Sequence, residues 1–503
     1  MPAPSGRRLA PLAALIALAL TSGHAAAETF TWSGGAGYWR DANWSSSTFP
    51  DDDLDVALID GGKDDTASYV TIASKNSDNS LSVASLVIDH GDTAETVGGV
   101  FLNVWSDLTV NGHYINNAGT SLRPSATLLT GSGIVTNRSS SFRGYSITLD
   151  TALTLDNFDT TRFDNLDLRG TYRASGSEGA TLSVFGQLQQ RGRLVVSSGT
   201  ELWLSVGSIA SGGNVIEVES GGALKLDSDE VVSGQHFVAS GGTASFSGST
   251  LADARFSGDW ALYKGRDTYM LDRLTVEDSL TIYHAGGYPA LQFGNNFELA
   301  GGGTYHLVGG RIGQTLGDSY TLTLVQGTTL EGYGGITSEN FVNHGRIIAG
   351  TGSEGLTINA ESAVNEGVVE VKDSDSAWGL YIGSTTRGSF SQTAAGRLVF
   401  NFDDTVPSEY GIMRVYDATL DGTAELVFDT PPEIGAWYTA MWALDEIQGE
   451  FDRVIAPTGW TVETLYDDDA VRFRVTAVPE PDTLALFAAG LCLIGAAARR
   501  RKV

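Results

Sequence analysis

Carboxylates are the most numerous candidates for chemistry in this 503-residue chain, and they come in clusters: Asp51-Asp52-Asp53, Asp64-Asp65, Asp403-Asp404 and Asp467-Asp468-Asp469. Two carboxylates facing each other across a groove can hydrolyse a glycosidic bond. Neighbouring carboxylates in one loop can instead hold calcium through hard oxygen ligands. None of the clusters sits in a calcium-loop signature or a calcium-binding nonapeptide repeat, so the main expectation is solvated turns, with calcium the one cofactor left open. Six histidines lie beyond the leader, at His90, His113, His236, His284, His306 and His344, and none forms a His-x-x-x-His pair. His284 and His306 are spaced by about one turn of a repeat, but two imidazoles alone are an incomplete zinc set. Nucleophile elbow, phosphate loop and dinucleotide fingerprint are all missing in their proper context, and Gly301-Gly302-Gly303 reads as turn glycine. The single cysteine, Cys492, lies outside the body, which excludes disulfides and cysteine zinc sites there. The expectation is no catalytic residue, no metal site and no enzyme activity.

Recognition chemistry is concentrated at the two ends. Arg7 and Arg8, the apolar run Leu9–Leu20 and the small residues Ala25-Ala26-Ala27 before Glu28 make a secretory signal peptide, with cleavage between Ala27 and Glu28. At the other end stand Val478-Pro479-Glu480-Pro481, an apolar run from Leu484 to Ala498, and Arg499-Arg500-Arg501-Lys502. The two prolines hold the peptide extended and off the preceding domain. The apolar run is short for a bilayer of ~30 Å, but the flanking cations can snorkel and lengthen it as a transmembrane helix. Those cations stay on the cytoplasmic side, which puts everything upstream outside.

This order of parts resembles the PEP-CTERM sorting tag of Gram-negative bacteria. The resemblance implies recognition by a membrane transpeptidase of the exosortase type and cleavage at or near the Pro-Glu-Pro segment. It also implies a transient stay in the inner membrane, then transfer to the cell surface or release. In that family the tag commonly accompanies exopolysaccharide production and biofilm. An ordinary C-terminal membrane anchor is the plainer alternative.

Sixty acidic against 31 basic residues give a formal charge of −29. Six of the cations lie in the terminal signals, leaving 25 for the body. Such a surface repels nucleic acid, so no nucleic-acid partner is expected, and it suits a solvated extracellular protein.

The body must position whatever this chain uses. Residues 28–65 carry Trp32, Trp39 and Trp44 among glycines, which suggests a cap over the open end of a core; an aromatic platform for carbohydrate is the competing expectation. Residues 66–389 are short β-prone runs between Gly, Asn, Ser and Asp turns, without helical periodicity. Ser220-Gly221-Gly222-Ala223-Leu224 returns twenty residues later as Ser240-Gly241-Gly242-Thr243-Ala244. Val342-Asn343-His344-Gly345 returns twenty-two residues later as Val364-Asn365-Glu366-Gly367. That step predicts an all-β solenoid, a right-handed parallel β-helix, of around twenty coils at ~4.8 Å each. At Phe390 the pattern changes, and residues 390–477 are expected to form a β-rich C-terminal cap, with Trp437, Trp442 and Trp460 packing it. The N-terminal segment and this cap resemble autotransporter-type passengers, which implies a β-helix closed by a sandwich-like end. That family's outer-membrane barrel is missing, and residues 478–503 stand in its place.

Three functions fit these observations. The first is an exported, non-enzymatic structural protein of the envelope, delivered by the secretion machinery and linked to exopolysaccharide. The second is a β-helix that binds or degrades polysaccharide, and the third is an adhesin. A lateral groove with clustered Asp, Arg and exposed aromatics favours the second; a smooth polar flank favours the first.

Overall fold

The computed structural model describes residues 28–32, 34–41, 43–59, 67–73, 80–122, 127–177, 179–211, 215–246, 249–262, 269–283, 291–315, 319–350, 355–372, 379–383, 387–402, 413–477 and 490–494. The protein is a parallel β-solenoid, divided into two compact units, Met1–Val215 and Ile216–Val503. Coil length varies. Glu331 faces Ile348, a step of 17 residues, whereas Glu425 faces Ile455, a step of 30.

The first unit is built from strands of mostly four or five residues whose inward side chains alternate with outward ones, as in Ser85–Ile88 and Asp107–Val110. Alternation puts every second side chain on one face, so a parallel stack turns each inward position into a column. One column runs Phe30, Ala57, Leu86, Leu108, Leu129, Leu149 and Leu168. A second runs Val70, Ala94, Tyr114, Val135, Leu155, Tyr172 and Leu194. Every member of both is buried. In the second unit one column passes Leu224, Ala244, Leu262, Ile282, Leu307, Gly332, Ala349, Val371, Phe400 and Leu426. The twenty-residue repeat seen in the sequence is one coil of this stack, with Ala223 facing Thr243.

Buried polar ladders run beside the apolar ones. In the first unit the Thr96 hydroxyl donates to Asn116 Oδ1 (3.1 Å), Asn116 Nδ2 to Asn137 Oδ1 (2.8 Å) and Asn137 Nδ2 to Asn157 Oδ1 (2.6 Å). Asn157 Nδ2 ends the row on Tyr172 Oη (2.7 Å) and the Asp159 carbonyl (2.8 Å). In the second unit Asn343 Nδ2 donates to Asn365 Oδ1 and Asn365 Nδ2 to Gln392 Oε1, both at 2.7 Å. A row of amides joined this way leaves one acceptor over at its start and one donor at its end; Asn343 Oδ1 and Gln392 Nε2 are those two buried atoms. The Val-Asn-x-Gly repeat is thus explained. Its Asn joins the ladder, and its Gly lies where coils touch: a Cβ on Gly367 would sit 2.2 Å from the Gly345 carbonyl oxygen.

Both ends are closed by different means. Trp32, Trp39 and Trp44 are buried, packed edge to face at 5.2 and 4.8 Å. Each indole N–H donates to a backbone carbonyl, of Gly35, Pro50 and Trp39 respectively. Buried rings present no platform to a carbohydrate. This segment already belongs to the first coil, because Thr29–Thr31 pairs in parallel with Val56–Leu58. At the far end the change of pattern at Phe390 is not where the coils stop. Ser389–Gln392, Arg397–Phe402 and Thr423–Phe428 continue the parallel stack, which reaches Ile455. Only then does Ala470–Ala477 lie antiparallel between Trp437–Ala443 and Thr461–Tyr466, burying Val471, Phe473 and Val475. Trp437, Trp442 and Trp460 are half-buried at its rim, with Arg474 over Trp437 and Arg414 over Trp442.

Replacing Asn137 with leucine strands the buried Asn116 Nδ2 donor and leaves Asn157 Oδ1 with the Thr161 hydroxyl alone. It should cost about 2–4 kcal/mol in urea unfolding. Thr151→Ala, in an exposed turn, should stay within about 0.5 kcal/mol.

Candidate functional sites: a C-terminal sorting segment and a lateral groove

The antiparallel strand Ala470–Ala477 delivers the chain to the surface. Its inward residues end at Val475, and Thr476 and Ala477 are exposed. The recognition residues Val478, Pro479, Glu480 and Pro481 come next and lie outside the described residues, as do Arg499, Arg500, Arg501 and Lys502. Within the expected spanning helix Leu484–Ala498, the described part is Gly490–Ile494, helical and with Leu491, Leu493 and Ile494 exposed. Among the described residues no helix is long and apolar enough to cross a membrane. At the other end Ala25 and Ala27 lie outside the described residues, while Glu28 offers its carbonyl to the Val56 N–H at 2.8 Å.

The clustered carboxylates are held by their own turns. Asp55 Oδ2 accepts the N–H groups of Asp51 and Asp52, both at 3.2 Å. Asp51 is pushed above the usual carboxylate range by burial and then by the charges of Asp55 and Asp52. Asp467 accepts from Arg472 at 2.5 Å across the last hairpin. Asp64-Asp65 and Asp403-Asp404 lie outside the described residues. Among the described residues no group of three potential ligands could hold a metal ion.

The histidines likewise serve local contacts. His306 Nδ1 lies 2.7 Å from Glu331 and His344 Nδ1 lies 3.2 Å from Glu366, each carboxylate belonging to the next coil. His284 lies outside the described residues. His113 and His236 are half-buried and share hydrogen bonds with Thr136 and Ser257, both at 2.8 Å. Burial lowers both pKa values, helped by Arg138 and Arg255 respectively.

Two hollows mark the flanks. In the first unit a groove of about 300 Å³ is lined by Arg143, Tyr145, Arg162, Asp164 and Phe185. Arg143 and Arg162 face each other on adjacent coils, and both are exposed. The Arg143 guanidinium lies 5.3 Å from the centre of the Phe101 ring. Tyr145 is 48% exposed and Phe185 70%. Asp164 is the one carboxylate in the lining, whereas glycoside hydrolysis needs two. The residue types here were visible in the sequence, but they sit about twenty residues apart and meet only through the register. A wider hollow in the second unit, about 630 Å³, has a floor of glycine backbone at Gly334 and Gly335 beside Arg311 and Tyr333.

For His113 and His236 the folded pKa lies below the unfolded value of 6.5, so the unfolded chain binds more protons. Their contribution is complete above 6.5 and lost as the pH falls from there towards the folded values. The His113→Gln/His236→Gln variant should therefore lose less of its urea midpoint between about pH 7.5 and about pH 5 than the parent. An equal loss would refute this assignment.

Comparison with known proteins places one segment. No curated protein and no solved structure matches the chain. A family model for the PEP-CTERM protein-sorting motif matches residues 477–502. Beyond the last strand of this parallel β-solenoid the chain therefore carries a PEP-CTERM sorting motif, the mark of an exported, surface-sorted substrate of an exosortase-type enzyme.

Proposed function

We propose that the protein is a non-enzymatic structural component of the cell surface, associated with exopolysaccharide or biofilm matrix. The observation that carries this is the sorting motif over residues 477–502. In this scheme the leader Met1–Ala27 is removed on export and the C-terminal apolar run pauses the chain in the inner membrane. The sorting enzyme then reads Pro479-Glu480-Pro481 and releases or transfers the body. The exposed exit at Thr476 and Ala477 supports such access, since a processing enzyme needs an extended peptide clear of the fold. The groove of the first unit has one carboxylate in its lining, which supports a structural role over hydrolysis there. Calcium at the acidic turns is an optional addition to this scheme and no part of its core.

Replacing Pro479, Glu480 and Pro481 together with alanine, in a host carrying its own sorting enzyme, tests the scheme by intact mass and location. The parent should lose its tail and reach the surface or medium, and the variant should stay full-length in the inner membrane. Retention of both at full length would make the tail a plain anchor.

A further inference from the structure

We propose that the groove of the first unit is a binding site for an extended acidic polysaccharide, one whose sugars carry carboxylates. The strands of this unit turn a corner directly after Val104, Leu122, Gly144, Phe163, Val184 and Val206, which lie opposite one another coil after coil. Among the described residues, those at the corner are Trp105, Tyr145, Asp164, Phe185 and Gly207. Aromatic side chains thus recur on alternate coils. At the spacing of parallel strands, alternate coils are about 9–10 Å apart.

These rings are partly to largely exposed. Trp105 is 37% exposed, Tyr145 48% and Phe185 70%, while the neighbouring Gly144, Phe163 and Val184 positions face inward or are covered. A row of exposed aromatics on one flank is the kind of apolar patch that marks a binding surface. The faces of a pyranose ring carry C–H groups and stack on aromatic rings. A polysaccharide in a two-fold extended form presents the same face on every second sugar, which is the repeat of this column.

The charge of the ligand is set by the arginines. At several other positions an outward arginine meets a glutamate of the next coil, as Arg273 meets Glu298 and Arg346 meets Glu370. Here Arg143 faces Arg162 instead, and like charges directly opposite across a ladder repel. Among the described residues no carboxylate pairs with either, although the chain carries a formal charge of −29. A ligand carboxylate between the two guanidiniums relieves that repulsion. Asp164, between Tyr145 and Phe185 in the column, is placed to accept hydrogen bonds from sugar hydroxyls. The class of polymer rests partly on the surface-sorted assignment, since such a polymer is met outside the cell; the groove itself does not.

Calorimetric titration of the full-length protein with alginate hexasaccharide, cellohexaose and polyglutamate tests the site. Alginate should bind, with affinity falling as salt rises, and the other two should bind at least about tenfold more weakly. Tyr145→Ala, Phe185→Ala and Arg162→Gln should each weaken alginate by about tenfold, with unchanged circular dichroism. Ile434→Ala, exposed in the second unit, should leave it unchanged. Absent alginate binding, equal binding of polyglutamate, or indifference to all three groove variants would overturn the proposal. The Pro479/Glu480/Pro481 substitution should not alter this titration, so the groove and the sorting scheme can each fail alone.

Discussion

The structure depends on one constraint: a coil can satisfy its backbone only on the coils above and below it. A solenoid strand has no partner within its own coil, so each N–H and C=O must look along the stack. Register then becomes the property on which everything else hangs. A slip of one residue would turn every inward side chain outward. The leucine column from Leu86 to Leu168 resists such a slip only in apolar terms, since many registers bury some leucine. The asparagine row from Asn116 to Asn157 resists it absolutely, because a misplaced buried amide has nothing to bond.

The same constraint makes the two ends expensive. An open first coil exposes both core and strand edge, and an open last coil invites another chain to pair. The N-terminal answer is three indoles whose rings cover the core and whose N–H groups are all satisfied locally. The C-terminal answer is a reversal of direction: Ala470–Ala477 runs antiparallel, and its buried Phe473 packs 6.0 Å from Phe400 of the last coils. That reversal also sets the position of the sorting motif, which begins where the reversed strand comes out into solvent.

Much of this was legible in the sequence where turns recur with inward residues. The Ser-Gly-Gly and Val-Asn-x-Gly repeats name one coil each, because a turn glycine and a ladder asparagine tolerate few replacements. Coil length was legible only where the coils are short; later ones carry long turns, as between Asn365 and Gln392, 27 residues apart. The end of the stack was placed too early because Phe402, Phe428 and Tyr438 enlarge the core without changing its topology. The groove was illegible for a different reason. Trp105, Tyr145 and Phe185 are each forty residues apart, a signal available in principle, but corners displaced by bulges between Phe163 and Leu166 and between Val184 and Gln187 hide the alignment.

The asparagine ladders have a direction. Asn137 Nδ2 also reaches the Thr160 carbonyl at 3.1 Å, and Asn343 Nδ2 the Val368 carbonyl at 3.2 Å; carbonyls only accept, so the amide orientation is fixed. In each row the donors therefore point towards the C-terminus, head to tail. Each row is polar along the stack: within it, every coil offers a donor to the next and an acceptor to the one before.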